Sequence, residues 1–232
     1  MKKLFLSMAA AILSATSFAQ TTLVATLSHE GNISTFFGAN ALKSAHGAAA
    51  DGDCITLSSG QFNAVDITKA VTIRGAGMEV DSILGTKPTI ISGDFSINIT
   101  DNGTDRLMME GIYHNHTITY KGTLESPMFV KCRLASITYV SSGTAGSLKN
   151  ASFVHCKIAS QLYLTSNCSA FCTNCVIKNP YSSNGTSSNF EITNCVVLST
   201  VVAANNGGMI SQIKSSSLSS HPLKRVRLFD YQ

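Results

Sequence analysis

From Cys54 onward, short runs that alternate apolar and polar residues are separated by bends rich in Ser, Gly, Asn and Thr. A period of two is the signature of a strand with one face buried. Four of these runs align on a cysteine: Phe129-Val-Lys-Cys132-Arg-Leu134, Phe153-Val-His-Cys156-Lys-Ile158, Cys172-Thr-Asn-Cys175-Val-Ile177 and Ile192-Thr-Asn-Cys195-Val-Val197. Their cysteines lie 24, 19 and 20 residues apart. A fifth run, Met108-Met-Glu-Gly111-Ile-Tyr113, fits one step earlier with glycine in the cysteine's place. Turn-rich stretches such as 141–146, 165–167 and 182–188 lie between the units. A unit of this size cannot bury its own apolar side, so it must stack on its neighbours. The period, rich in β-forming residues and without a leucine-rich consensus, predicts an all-β parallel solenoid. Equivalent residues of successive turns then lie about 4.8 Å apart. Phe/Ile, Cys and Leu/Ile/Val form inward columns, while Ser, Gly and Asn occupy the corners.

Upstream, residues 39–49 read as a short alanine-rich helix. Ala41-Leu42, Gly52-Asp53, Ile55, Leu57, Gly60, Phe62, Ile67, Lys69 and Val71-Thr-Ile-Arg-Gly-Ala-Gly77 follow in a recognisable order. This run resembles the opening coil of the right-handed parallel β-helix, pectin-lyase-like superfamily, and the likeness extends over about residues 38–200. The resemblance implies a right-handed parallel β-helix whose first coil is capped by a short helix. It says little about activity, because the superfamily holds polysaccharide lyases, glycoside hydrolases, epimerases, phage tailspikes and non-enzymatic adhesins. Gly75-Ala-Gly77 is not a dinucleotide fingerprint: the third glycine and the βαβ setting are both missing.

The expected organisation is a leader at 1–19, an N-terminal strand and capping helix at 20–50, the β-helix at 51–210 and an irregular basic tail at 211–232. Lys2-Lys3, the apolar stretch from Leu4 to Leu13 and Ser17-Phe18-Ala19 before Gln20 form a secretory signal of bacterial type. Export to the periplasm or medium is therefore expected, with no membrane span, since no apolar run reaches the length needed. The formal charge of +4 says nothing about a polyanionic partner. Lys2 and Lys3 belong to the leader, and Lys214, Lys224, Arg225 and Arg227 face Asp230 in the tail; setting these aside leaves residues 20–213 at −1. No nucleic-acid footprint is expected.

Seven cysteines in an exported chain raise the question of disulfides. Cys132, Cys156, Cys175 and Cys195 share one repeat position, which reads as a column of small buried residues with reduced thiols. Cβ vectors on stacked strands run parallel and suit disulfide torsions poorly. Cys168, Cys172 and Cys175 lack a fourth partner for a metal site, and Cys54 reads as core.

The family's lyases and hydrolases imply clustered carboxylates, with Ca²⁺ in the lyase case. Between residues 126 and 229 the chain has one acid, Glu191, so the cysteine coils cannot supply such a pair. The candidate catalytic cluster lies earlier: Asp94, Asp101, Asp105 and Glu110 with His114 and His116. The two histidines are two apart and share a face if the strand is regular. Solvated turns at Asp94 and Asp101–Asp105 are the competing reading. The position before each cysteine gives Glu110, Lys131, His155, Asn174 and Asn194, in which Glu110 and Lys131 read as an ion pair and the asparagines as left-handed bend residues or an asparagine ladder. Tyr120, Tyr139 and Tyr163 recur at 19 and 24 residues and make a candidate sugar-binding strip, or a core stack. The expected function is a non-catalytic binder of polysaccharides or cell-surface glycans that needs no cofactor. The alternatives are a carbohydrate-active enzyme of the polysaccharide-lyase type, with Ca²⁺, and a structural or adhesin module.

Overall fold

The computed structural model describes residues 22–83, 85–99, 105–139, 146–165, 167–182, 188–199, 202–203, 209–214 and 217–218, with side chains up to residue 199. The expected leader, Asp101 and most of the tail therefore lie outside the described residues.

The chain opens with an antiparallel hairpin of β1 (Val24–His29) and β2 (Asn32–Phe37). Its two-residue turn places Glu30 and Gly31 at φ of 47° and 82°, the left-handed geometry that two-residue hairpins require. Helix α1 (Ala41–Ala48) follows and buries Ala41, Leu42, Ala45 and His46 over the end of the first coil. The helix has no side-chain N-cap. Its C-terminus is held instead by Lys69, whose ammonium donates to the carbonyls of His46, Gly47 and Ala49. A cation at orphaned C-terminal carbonyls is the favourable sense of the helix dipole. Lys69 of the opening run thus caps the helix.

Parallel coils then stack. The first contains β3 (Cys54–Leu57) and β4 (Gly60–Asn63), and the second β5 (Thr72–Arg74), β6 (Thr89–Ser92) and β7 (Phe95–Ile97). The third contains β8 (Met108–Glu110), β9 (Ile112–Tyr120) and β10 (Thr123–Glu125); the fourth β11 (Met128–Val130), β12 (Arg133–Tyr139) and β13 (Ser147–Lys149). Then come β14 (Ala151–Val154) with β15 (Lys157–Leu164), β16 (Ser169–Thr173) with β17 (Val176–Ser182), and β18 (Asn189–Thr193) with β19 (Val196–Val197) and β20 (Val202–Ala203). The last described strands are β21 (Met209–Lys214) and β22 (Ser217–Leu218), which pair in parallel with β18 and β19. Coiling thus runs on to Leu218, past the expected boundary at 210. Every pairing after β3 is parallel among the named strands.

The core consists of columns. On the first sheet Leu27, Ile55, Ile73, Met109, Phe129, Phe153, Cys172 and Ile192 lie register on register and all are buried. Phe129 and Phe153 stack with centroids 4.9 Å apart and planes 5° from parallel. On the second sheet the column is Phe62, Ile91, His114, Leu134, Ile158, Ile177 and Val197. Beyond the corner of the same sheet a further column is Phe95, Ile118, Ile137, Leu162 and Pro180. Repetition of one apolar type at one place is what lets a thin coil with few residues per turn exclude water.

Cys132, Cys156, Cys175 and Cys195 are buried free thiols, as the repeat implies. They do more than fill space. The sulfur of each donates to a carbonyl of the preceding coil: Cys156 Sγ to Phe129 O at 3.2 Å, Cys175 Sγ to Phe153 O at 3.2 Å and Cys195 Sγ to Cys172 O at 3.3 Å. Cys175 and Cys195 also accept the backbone N–H of Cys156 and Cys175 at 3.3 and 3.2 Å. A thiol can donate and accept, so it satisfies backbone groups that the sharp bend before it takes out of the ladder. The side-chain contact to the neighbouring cysteine pushes Cys156 and Cys175 up to about 12, and burial lifts Cys172 far above its ordinary value. Raised in this way, the Cys156 and Cys175 thiols stay in the protonated form, which is the unreactive one. Cys54 departs from expectation: it is half-buried, in register with the outward-facing Thr72, not in the core.

The bend before each cysteine is left-handed. Lys131, His155, Asn174 and Asn194 have φ of 49°, 53°, 54° and 51°, and Gly111 has 64°. Gly111 thus stacks on Lys131, one place earlier than the cysteine alignment predicts, and Ile112 takes the cysteine position because Tyr113 pairs with Arg133. The slip also undoes the expected pair of Glu110 with Lys131: Glu110 is in register with Val130 and binds Arg74 at 3.2 Å. The asparagines do form a ladder. Asn194 Nδ2 donates to Asn174 Oδ1, and Asn174 Nδ2 meets His155 Nε2 at 3.1 Å.

Candidate functional site

The candidate acid cluster does not assemble as one site. Asp94 and His116 are neighbours, with Oδ1 and Nδ1 3.9 Å apart, and Asp94 also accepts the Thr117 N–H at 2.8 Å. Glu110 lies on the first sheet with Arg74. Asp105 lies against Gly52 at the N-terminal end, and Asp101 is outside the described residues. His114 and His116 do not share a face. The corner of β9 holds two residues, Asn115 and His116, where β12 has one, Ala135, so the register shifts there. His114 turns into the core and His116 remains exposed. Other carboxylates are used by the scaffold. Asp51 accepts the Ala70 N–H, Asp66 the N–H and hydroxyl of Ser96, and Glu125 pairs with Lys149 at 3.1 Å. Asp53 is opposed by burial, yet the Ala50 N–H and His29 outweigh it and hold its carboxyl below the usual range. No group of three or more His, Cys, Asp or Glu able to hold a metal occurs among the described residues.

His114 gives one measurable consequence. Its Nδ1 donates to Ile91 O at 2.8 Å, while Nε2 is buried with no partner. Burial is the largest influence and lowers its pKa below 6.5. The unfolded chain takes up the proton first, so stability is complete above about pH 6.5 and falls as the pH drops towards the depressed folded value. His29 acts in the opposite sense: its bond to Asp53 raises its pKa, so its contribution is lost as the pH rises through that value. Leu134 and Ile158 occupy the His114 position in the next coils, so His114→Leu fits the column. Thermal melts of the variant are expected to lose most of the wild-type drop between pH 7.5 and 5; an unchanged drop would assign it to other groups.

Beyond its corner, the second sheet carries a different arrangement on its outer side. Tyr139, Tyr163 and Tyr181 are half-buried and stacked, with centroids 5.1 Å and 4.5 Å apart and interplanar angles of 27° and 22°. Thr117, Ser136, Gln161 and Asn179 run beside them in register. Burial, then the neighbouring rings, push the Tyr163 phenol up to about 12, so it is a neutral donor and acceptor. Tyr120 does not belong to this strip. It is fully buried, and its hydroxyl donates to the Tyr163 carbonyl at 2.9 Å. Tyr181 replaces it. The sequence signal for Tyr181 was hidden because β17 has one corner residue where β15 has two, which makes the interval from Tyr163 one shorter than that between the adjoining cysteines. The stacking also changes how the rings can bind. Their faces are spent on one another, so ring edges and hydroxyls, not open faces, are presented along the strip.

No family model matches the chain, and no curated protein or solved structure is significantly similar to it. What the coordinates define is a parallel β-solenoid of about six turns with one short helix.

Proposed function

We propose that the protein is an exported, non-catalytic β-helix that binds an extended polysaccharide along the outer side of its second sheet, beyond the corner. The observation carrying this reading is the continuous strip formed by Tyr139, Tyr163 and Tyr181 with Thr117, Ser136, Gln161 and Asn179 alongside. An uncharged row of hydroxyls and amides repeating every coil suits a polymer whose own hydroxyls repeat along a chain. The likeness of residues 41–77 to the opening coil of the pectin-lyase-like superfamily supports reading the coil as right-handed, as does the general hand of parallel connections. The use of Asp51, Asp53, Asp66, Glu110 and Glu125 in scaffold contacts weighs against a lyase site.

Affinity electrophoresis in gels containing neutral or uronic-acid polysaccharides tests the reading. Retardation of the wild type by at least one polymer is expected, with retardation lost in Tyr163→Ala and kept in Tyr120→Phe. Equal mobility in every gel overturns binding. Unsaturated product formed with Ca²⁺, and lost in His116→Ala, would establish the lyase alternative instead.

A further inference from the structure

The hairpin strand β2 is the outermost named strand of its sheet. Pairing with β1 runs Val24 to Phe37, Leu27 to Ser34 and His29 to Asn32. In a hairpin closed by a two-residue turn, the pair nearest the turn exchanges both hydrogen bonds and alternate pairs follow it. Asn32, Ser34 and Phe36 therefore point their backbone groups at β1, and those of Ile33, Thr35 and Phe37 point out of the sheet. The same residues leave much apolar surface in water: Ile33 is 75% and Phe37 66% exposed.

Sheet edges are normally blunted by lysine, proline, a bulge or a cover, because an open edge recruits another strand. The segment Asn32–Phe37, with sequence Asn-Ile-Ser-Thr-Phe-Phe, has no charge and no proline, and its pairing with β1 is free of register shifts.

We propose that β2 is a docking edge for a second copy of this chain, joined by antiparallel pairing of β2 with β2 about a two-fold axis through Thr35. The strand is self-complementary in that arrangement. Thr35 faces Thr35 of the second copy, and Ile33 faces its Phe37 on both sides of the axis. The outward N–H and C=O groups of the three residues then exchange hydrogen bonds in full. The two-fold axis places Thr35 against its own copy, so a charge there would repel itself; the neutrality of the edge is what a self-partner requires. A single added strand pair of six residues a side is a small contact, so the dimer is expected to dissociate with a Kd between about 1 µM and 1 mM.

Sedimentation velocity of the full chain over that concentration range, with amide exchange read in parallel, tests the proposal. The sedimentation coefficient is expected to rise with concentration, and the amides of Ile33, Thr35 and Phe37 to become protected together. Thr35→Lys leaves every bond to β1 in place and sets two like charges at the axis. It should remain monomeric throughout with an unchanged circular dichroism spectrum, and Thr35→Pro should do the same by removing the central donor. A wild type that stays monomeric up to about 1 mM overturns the proposal. So does self-association that survives in Thr35→Lys, or one in which these amides stay unprotected, because either places the contact elsewhere.

Discussion

Phe153→Ala is expected to lower the stability of the fold by about 3–5 kcal/mol, the range for emptying a fully buried aromatic site. The ring is buried completely, lies parallel to Phe129 at 4.9 Å and is in register with Cys172 on the other side. Coils on both sides lose a contact, and in a solenoid such nearest-neighbour contacts carry the stability. Backbone strands on either side are fixed by their own ladders, so the site can collapse only partly. Chemical unfolding followed by circular dichroism should show a midpoint far below that of Phe171→Ala, whose ring is half-exposed on the outer side of the next strand. Similar losses for the two variants would mean that the columns do not hold the coils together.

Gly75→Val is expected to be the other severe change, for steric reasons. A Cβ at Gly75 would lie 2.5 Å from the Gly111 carbonyl oxygen and 2.7 Å from Thr89 Cβ. Neither obstacle is the end of a flexible side chain. Gly75 N–H also donates to Glu110 O at 2.8 Å and Gly77 N–H to Gly111 O at 3.1 Å, so the two strands cannot move apart without losing both bonds. Overpacking against backbone costs about 1–3 kcal/mol for one added group and more for a branched one. Ala76 gives the control. Its N–H is held by Thr89 Oγ1 at 2.7 Å, but its side chain is exposed. Ala76→Ser should therefore melt within a few degrees of the wild type, and Gly75→Val well below it. Gly75 of the Arg-Gly-Ala-Gly motif is thus explained by close approach between coils, and Gly77 by its φ of 149°.

The solenoid could be read from the sequence because one coil position, the cysteine after the bend, admits few residue types. In four successive coils it holds a cysteine, small, inward and able to donate and accept at once, so it recurs visibly, and Ile112 stands there in the coil before them. The bend before it was legible for a related reason: Asn174 and Asn194 tolerate left-handed backbone. Where the sequence misled, the cause was residue count at corners. Two residues at Asn115-His116 and Ala159-Ser160 alternate with one at Ala135 and Lys178, and each change shifts everything beyond it by one place. A shift of one in a strand exchanges inside for outside. That is why His114 and His116 part company and why Tyr181 was not anticipated; Tyr120 is core, while Tyr139, in register with it, stacks on Tyr163. The same logic placed Gly111 under Cys132 when its positive φ belongs under Lys131. The hairpin edge at β2 could not be read at all, since openness depends on what the rest of the chain leaves uncovered.

The interior cysteine ladder is the claim from which register, faces and strip all follow. Pulsed alkylation of the native protein near pH 8, with each site mapped by mass spectrometry, tests it most directly. Cys132, Cys156, Cys175 and Cys195 should react only at the rate of global unfolding and together, while half-exposed Cys54 reacts ahead of them. Rapid labelling of any one ladder thiol in the folded protein would contradict the stacked-coil account.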